Sequence, residues 1–219
     1  MFKDRDEAGA ALAEAVAAEA PDAPVVLALP RGGVPVAQPV ARRLNAPLDL
    51  LMVRKLGVPG QPELAAGAVV DGAAHQVVFN RDVLRMLGQS EADFDDAIRE
   101  KLDEIETRRK TYLQGRAPVD VEGRTAIVVD DGIATGATVR AALTALRQRS
   151  PRAIWLAVPV APRAAIAEIR PLVDRLICLE VPHLFQAVGA HYARFDQVSD
   201  AEVAAAMRAE TGRSEAEDE

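Results

Sequence analysis

The chain has 219 residues, enough for one domain with a modest appendage and for a full core without disulfides or metals. An apolar share of 49% beside 27% charged residues is globular rather than disordered. Lys+Arg 26 against Asp+Glu 33 leaves a net charge of −7, which argues against a nucleic-acid coat or a membrane-surface protein. A single cysteine, Cys178, cannot form an internal bridge and suits a reducing compartment. The start, Met1 to Glu7, is too charged to lead a signal peptide, and no uncharged apolar run reaches the roughly 18–20 residues of a membrane span. The expectation is a cytoplasmic protein.

Residues 4–20 read as an alanine-rich helix with Leu12 and Val16 on one face, stopped by Pro21 and Pro24. Val25 to Leu29 is a short continuous apolar run, the pattern of a strand buried on both faces. A helix follows from Pro35, whose fixed φ suits a first helical position, to about Leu44. Leu48 to Val53 reads as the next strand. Residues 54–79, with Gly57, Pro59, Gly60, Pro62, Gly67 and Gly72, read as a loop leading into short strands. Residues 90–113 read as one long helix, opened by a capping box of Ser90 and Asp93, with a narrow apolar stripe of Phe94, Ile98, Leu102, Ile105 and Tyr112. Strands at 126–129, 154–158 and 176–179 alternate with helices at about 137–149 and 162–170. That alternation predicts right-handed βαβ crossovers and an α/β fold, an open and mostly parallel sheet with helices on both faces. One domain is expected over 1–207, with 208–219 a frayed acidic tail.

The strongest local signal runs from Ala126 to Val139. A buried strand ends in Asp130 and Asp131, passes a small-residue turn and opens into a helix. The first N–H groups of a helix lack internal partners and sit at the positive end of its dipole, so an anion is stabilised there. Gly132 and Gly136 permit tight turns and a close approach, and Thr135 and Thr138 add hydroxyls. Asp130 and Asp131 are acceptors suited to a vicinal diol and to a hydrated Mg²⁺. The tripeptide Asp130-Asp131-Gly132 alone reads as a turn; the whole string reads as a site. It is not a Walker loop, because no Lys-Ser or Lys-Thr follows Gly136.

This string resembles the phosphoribosyl-pyrophosphate (PRPP) signature of the type I phosphoribosyltransferases. The resemblance implies that Asp130 and Asp131 bind the ribose hydroxyls of PRPP and hold Mg²⁺, directly or through water. It also implies that Ala134, Thr135, Gly136, Ala137 and Thr138 cradle the 5′-phosphate. The turn Pro30-Arg31-Gly32-Gly33 is similar to the family's pyrophosphate loop, which places Arg31, Gly32 and Gly33 on the leaving group and makes Pro30–Arg31 a candidate cis peptide. Arg54 and Lys55 resemble its pyrophosphate-contacting cations. By the same resemblance 54–79 becomes a flap, 80–118 a helical insertion and 181–198 a small hood subdomain that recognises the acceptor.

Position 134 holds alanine where 6-oxopurine-using members place a carboxylate, so Glu63 in the flap becomes a candidate proton carrier; a solvent-facing loop carboxylate is the competing reading. Phe185 and Tyr192 are candidate acceptor-stacking rings, or equally a small core. His183 and His191 make no metal pattern, Cys178 reads as core, and Arg108-Arg109-Lys110 reads first as cations at a helix C-terminus. The function implied is transfer of phosphoribose from PRPP to a nucleobase or similar heterocycle, in a chain that dimerises by analogy with the family. The alternative is a non-catalytic PRPP-binding regulator.

Overall fold

In the computed structural model the described residues are 1–58, 61–71 and 76–217, with side chains described for all of these except 61–63 and 211–217. Strands β1 (Pro24–Ala28), β2 (Leu48–Leu50), β6 (Thr125–Val129), β7 (Ala153–Val160) and β8 (Arg175–Glu180) form an all-parallel sheet of order β2-β1-β6-β7-β8. Strand period 2 divides its side chains. Val26, Ala28, Ile127 and Val129 face one cluster with Leu12 and Val16 of α1 (Arg5–Ala17), Val36 and Val40 of α2 (Gly33–Leu44), Ile105 and Tyr112 of α4 (Asp95–Leu113), and Val203 and Met207 of α7 (Asp200–Glu217). Val25, Leu27, Ala126 and Val128 face the other, against α5 (Ala137–Arg147) and α6 (Arg163–Ile169). The expected α/β sheet with helices on both faces is present.

The connections differ from the sequence reading in four places. Helix α2 starts at Gly33 rather than Pro35, because Gly33 N–H already bonds Leu29 O at 3.0 Å. The expected strand over 48–53 splits: the chain leaves the main sheet after Leu51, whose N–H bonds Ala28 O. It then builds a second, antiparallel sheet of β3 (Val53–Val58), β4 (Gln61–Val70) and β5 (Gln76–Phe79). Its glycines, read as loop markers, include Gly67, where a Cβ would lie 2.4 Å from Val78 O across the ladder. The helical insertion is broken as well. A helix α3 (Arg81–Leu87) and a 3₁₀ turn (Glu91–Phe94) precede α4, and the Ser90–Asp93 capping box opens that turn rather than the long helix.

The fourth difference is the C-terminus. Ser199 and Glu202 form a capping box, with Ser199 N–H donating to Glu202 Oε2 at 2.7 Å and Glu202 N–H to Ser199 Oγ at 3.2 Å. Helix α7 therefore runs on through residues expected as tail. Glu210 is buried there and accepts from Arg42 Nε at 2.7 Å, a contact that docks α7 on α2. Among the described residues no helix is long and apolar enough to cross a membrane.

Candidate active site

Neighbouring strands β1 and β6 connect onward in opposite directions, β1 to β2 and β6 to β7, so their carboxyl ends open a crevice at a topological switch point. Both sequence motifs lie there. Leu29 N–H bonds Val129 O at 2.9 Å, which brings the Pro30–Gly33 turn against the Asp130–Gly136 turn. The fit requires glycine. A Cβ on Gly32 would sit 2.0 Å from Asp131 Oδ2, and one on Gly33 would sit 2.7 Å from Val129 O. The Pro30–Arg31 peptide is cis.

Asp130 is partly buried, and its Oδ1 accepts from Asp131 N–H at 2.9 Å. Burial, then the adjacent Asp131 charge, holds its carboxyl well above the usual range. Burial also raises Asp131, opposed by a hydrogen bond from Arg5. Gly136 has φ +73°, the left-handed cap from which α5 departs. Ala134, Thr135, Ala137 and Thr138 are exposed or nearly so around it, with Thr135 and Thr138 open to solvent. Arg140 fixes the loop from behind, donating to Thr135 O at 3.0 Å and to Glu168 at 2.6 Å.

The expected cations do not converge on one point. Arg31 lines a cavity of about 490 Å³ with Arg5, Gly32, Asp131, Val188 and Phe195. Its Nη1 lies 3.4 Å from Asp200, which also accepts from Tyr112 Oη at 2.5 Å. Strand alternation separates Arg54 from Lys55. Arg54 turns toward Glu104 of α4 at 3.4 Å, and burial followed by the nearby Arg108 charge lowers its pKa. Lys55 lines a different cavity, about 270 Å³, with Thr138 and Arg140. The side chain of Glu63 lies outside the described residues.

The basic triplet of α4 divides three ways. Arg108 donates to Tyr112 Oη at 3.3 Å, and Lys110 pairs with Glu106 at 2.7 Å. Arg109 turns inward to buried Asp71 and lies 3.5 Å from buried Asp49. It ties the insertion to both sheets, a use beyond the helix-dipole reading.

Segment 181–198, expected as a hood, is joined to the N-terminus. Phe2 N–H bonds His191 O at 2.8 Å, Ala193 N–H bonds Phe2 O at 2.8 Å, and Phe2 and Tyr192 pair as a parallel bridge. Tyr192 is buried, its ring 5.6 Å from Phe2 and 4.9 Å from Phe195, and its hydroxyl donates to Asp131 O at 2.5 Å. Phe185 is half-buried and stacks on His191 at 5.6 Å. Two residues at this site, Arg5 and Arg140, are not marked by the sequence reading. Tyr192 is marked there, as a candidate stacking ring, but its hydroxyl contacts the acidic turn instead.

A switch-point crevice beside a helix N-terminus is where open α/β sheets take anionic ligands, which places the chain among the α/β proteins with such a crevice. The family model for the phosphoribosyl transferase domain matches residues 5–193, and the chain belongs to that family. Curated proteins from two Mycobacterium tuberculosis strains, provisionally named phosphoribosyl transferases, are each 46% identical over 205 residues. The match covers 94% of this chain and 46% of theirs, so the chain spans about half the length of these relatives. The crystal structure of TT1426 from Thermus thermophilus is similar with a TM-score of 0.83 and 42% identity, covering 94% of this chain and 97% of that one.

Proposed function

We propose that the crevice binds PRPP and that the protein transfers its phosphoribosyl group to a nitrogen heterocycle, releasing pyrophosphate. The observation that carries this reading is the contact of the two turns at the switch point, where Gly32 gives way to the Asp131 carboxylate. Arg31, Gly32 and Asp131 line one cavity and the 137–138 end of the phosphate loop lines a second beside it, and PRPP reaches across both.

Asp130 and Asp131 accept the ribose hydroxyls, while the amides of 134–138 and the hydroxyls of Thr135 and Thr138 hold the 5′-phosphate. Arg31 and the Gly32 and Gly33 amides face the pyrophosphate and offset the charge that builds on it as the anomeric C–O bond breaks. The developing sugar cation resembles that of glycoside cleavage, so holding sugar, leaving group and acceptor in line is the main demand on the protein. Among the described residues no three His, Cys, Asp or Glu side chains form a metal cluster. Two hard carboxylates nevertheless fit Mg²⁺, which takes one or two from protein and the remainder from phosphate and water. When bound, Mg²⁺ would neutralise phosphate charge. Lys55 stands on the phosphate side of the crevice by its cavity, and Arg54 on the α4 side.

The acceptor enters on the hood side. Val188 and Phe195 supply apolar wall there, and Phe185 a partly open ring, whereas Tyr192 acts through the acidic turn. The test is pyrophosphate release from PRPP and Mg²⁺ with a panel of nucleobases and related heterocycles. Release with at least one acceptor, abolished by Asp131→Asn, is expected. Tight PRPP binding without release for any acceptor would instead make the protein a PRPP-sensing regulator. If Glu63→Gln left turnover unchanged with every accepted base, that residue would have no proton-carrying role.

A further inference from the structure

Among the described residues Arg108 of α4 makes no ion pair, unlike its neighbours Arg109 and Lys110. Its Nη1 donates to the hydroxyl of buried Tyr112 at 3.3 Å, and that hydroxyl donates to Asp200 Oδ1 at 2.5 Å. Arg31, from the Pro30–Gly33 turn, donates from Nη1 to the same oxygen at 3.4 Å. One carboxylate oxygen of α7 thus joins that turn to the inserted helix. Arg54 of β3 stands close enough to Arg108 for the two charges to oppose each other. Three guanidiniums from three elements share Asp200 and Glu104, and Glu104 is already bound by Lys101 at 2.6 Å. In a chain of net charge −7 this is a local excess of positive charge, which a multiply charged anion would stabilise.

We propose that Arg108 binds the pyrophosphate end of PRPP together with Arg31 and the Tyr112 hydroxyl, and that the Asp200 carboxylate competes with pyrophosphate for these donors. The inference rests on the reading of the crevice as a PRPP site and extends that site from the main sheet to α4 and α7. Asp200 Oδ1 takes from Arg31 and Tyr112 the hydrogen bonds that a phosphoryl oxygen would take. Pyrophosphate carries more charge and more acceptor oxygens than one carboxylate, so charge-assisted bonds to two guanidiniums favour it. The Asp200 side chain is 54% exposed, and the Ser199–Glu202 box caps α7 without it, so it can turn to solvent while the helix start stays intact. Tyr112 then donates to the phosphate, and Arg108 exchanges a neutral hydroxyl for an anion. The Tyr112 hydrogen bond, aided by the Arg108 and Arg31 charges, holds the Asp200 carboxyl below the usual range, so the competitor is itself an anion at neutral pH.

The experiment titrates the full chain by calorimetry with two probes, inorganic pyrophosphate and ribose 5-phosphate, each with Mg²⁺ present. Ribose 5-phosphate carries the diol and the 5′-phosphate and lacks the pyrophosphate. Arg108 is exposed, so Arg108→Gln should fold as the wild type does. It should bind pyrophosphate about tenfold or more weakly, the fold-change of one lost charge-assisted hydrogen bond, with ribose 5-phosphate affinity unchanged. Arg108→Lys, which keeps the charge and loses the planar fork, should lie between the two. Asp200→Ala should bind pyrophosphate about threefold more tightly, the worth of one exposed ion pair. Four results would each overturn the proposal: pyrophosphate affinity unchanged in Arg108→Gln, an equal loss for both probes, unchanged or weaker pyrophosphate binding in Asp200→Ala, or no pyrophosphate binding by the wild type. Pyrophosphate binding that depends on Arg108, with no binding of ribose 5-phosphate, would uphold the role of Arg108 and refute instead the reading of Asp130 and Asp131 as the ribose site.

Discussion

Gly32→Ala tests whether the two turns at the switch point form one binding surface. Gly32 has φ −62° and ψ −31°, values open to alanine, so the substitution strains no backbone. Its Cβ would nevertheless lie 2.0 Å from Asp131 Oδ2 and 2.6 Å from Cγ. To restore even a 3.0 Å contact the carboxylate must retreat by roughly 1 Å, and Arg5 on the same oxygen restricts its escape. A misplacement of about 1 Å in a positioned group costs on the order of 10²-fold, close to 2.7 kcal/mol of binding. Folding should lose less than binding. Alanine at a compatible φ stabilises by about 0.4–1 kcal/mol, which offsets part of the cost of weakening the largely buried Arg5–Asp131 pair. Calorimetry with Mg²⁺–PRPP should show affinity about 10²-fold weaker, with Tm within about 3 °C of wild type. Affinity within threefold of wild type would show that Asp131 is not a ligand contact at its observed position. Gly33→Ala is the contrasting variant: its Cβ would meet Val129 O at 2.7 Å, a backbone atom that cannot swing aside, so that chain should lose stability first.

Further outcomes follow from the charged groups. Asp130 has a raised carboxyl pKa in the folded chain, so its protonated form favours folding and that contribution is lost as pH rises through the folded value. Asp130→Asn should therefore raise Tm at pH 7 by about 2 °C or more and leave it unchanged below the ordinary carboxylate range, while abolishing PRPP binding; a lower Tm at pH 7 would contradict the burial argument. Arg109→Met removes the buried guanidinium beside Asp71 and Asp49, the latter keeping Arg116 at 3.6 Å, and should cost about 3 kcal/mol, or about 6–12 °C in a melting scan. A loss below about 1 kcal/mol would show the network to be dispensable. Burial pushes the Cys178 thiol up to about 11, so only about one molecule in 10⁴ carries a thiolate at pH 7. Iodoacetamide should modify it orders of magnitude more slowly than free cysteine, and labelling at the free-cysteine rate would refute the core assignment.

Contiguous physical signals are legible in the sequence. Buried strands such as 126–129 show as unbroken apolar runs, and the strand–acidic pair–glycine–helix string from Ala126 to Val139 keeps its chemistry within one stretch. Long-range pairings are not legible. Arg5 and Asp131 stand 126 positions apart, and nothing in the helix 5–17 marks its first arginine as different from a solvated one. The Asp49–Asp71–Arg109 network joins three elements whose relative placement only packing decides. The second sheet is obscured by its glycines and prolines, which serve close cross-strand contact as well as loops. Helix α7 does carry a readable sign, the Ser199–Glu202 box ahead of Val203 and Met207, but its acidic end draws the reading toward a tail.

A crystal structure of the protein grown with PRPP and Mg²⁺ tests the central claim most directly. The ribose diol should lie against Asp130 and Asp131 and the 5′-phosphate on the amides from Ala134 to Thr138, with the pyrophosphate beside Arg31. Donor bound elsewhere, or a crevice that stays closed over packed side chains at saturating concentration, would contradict it.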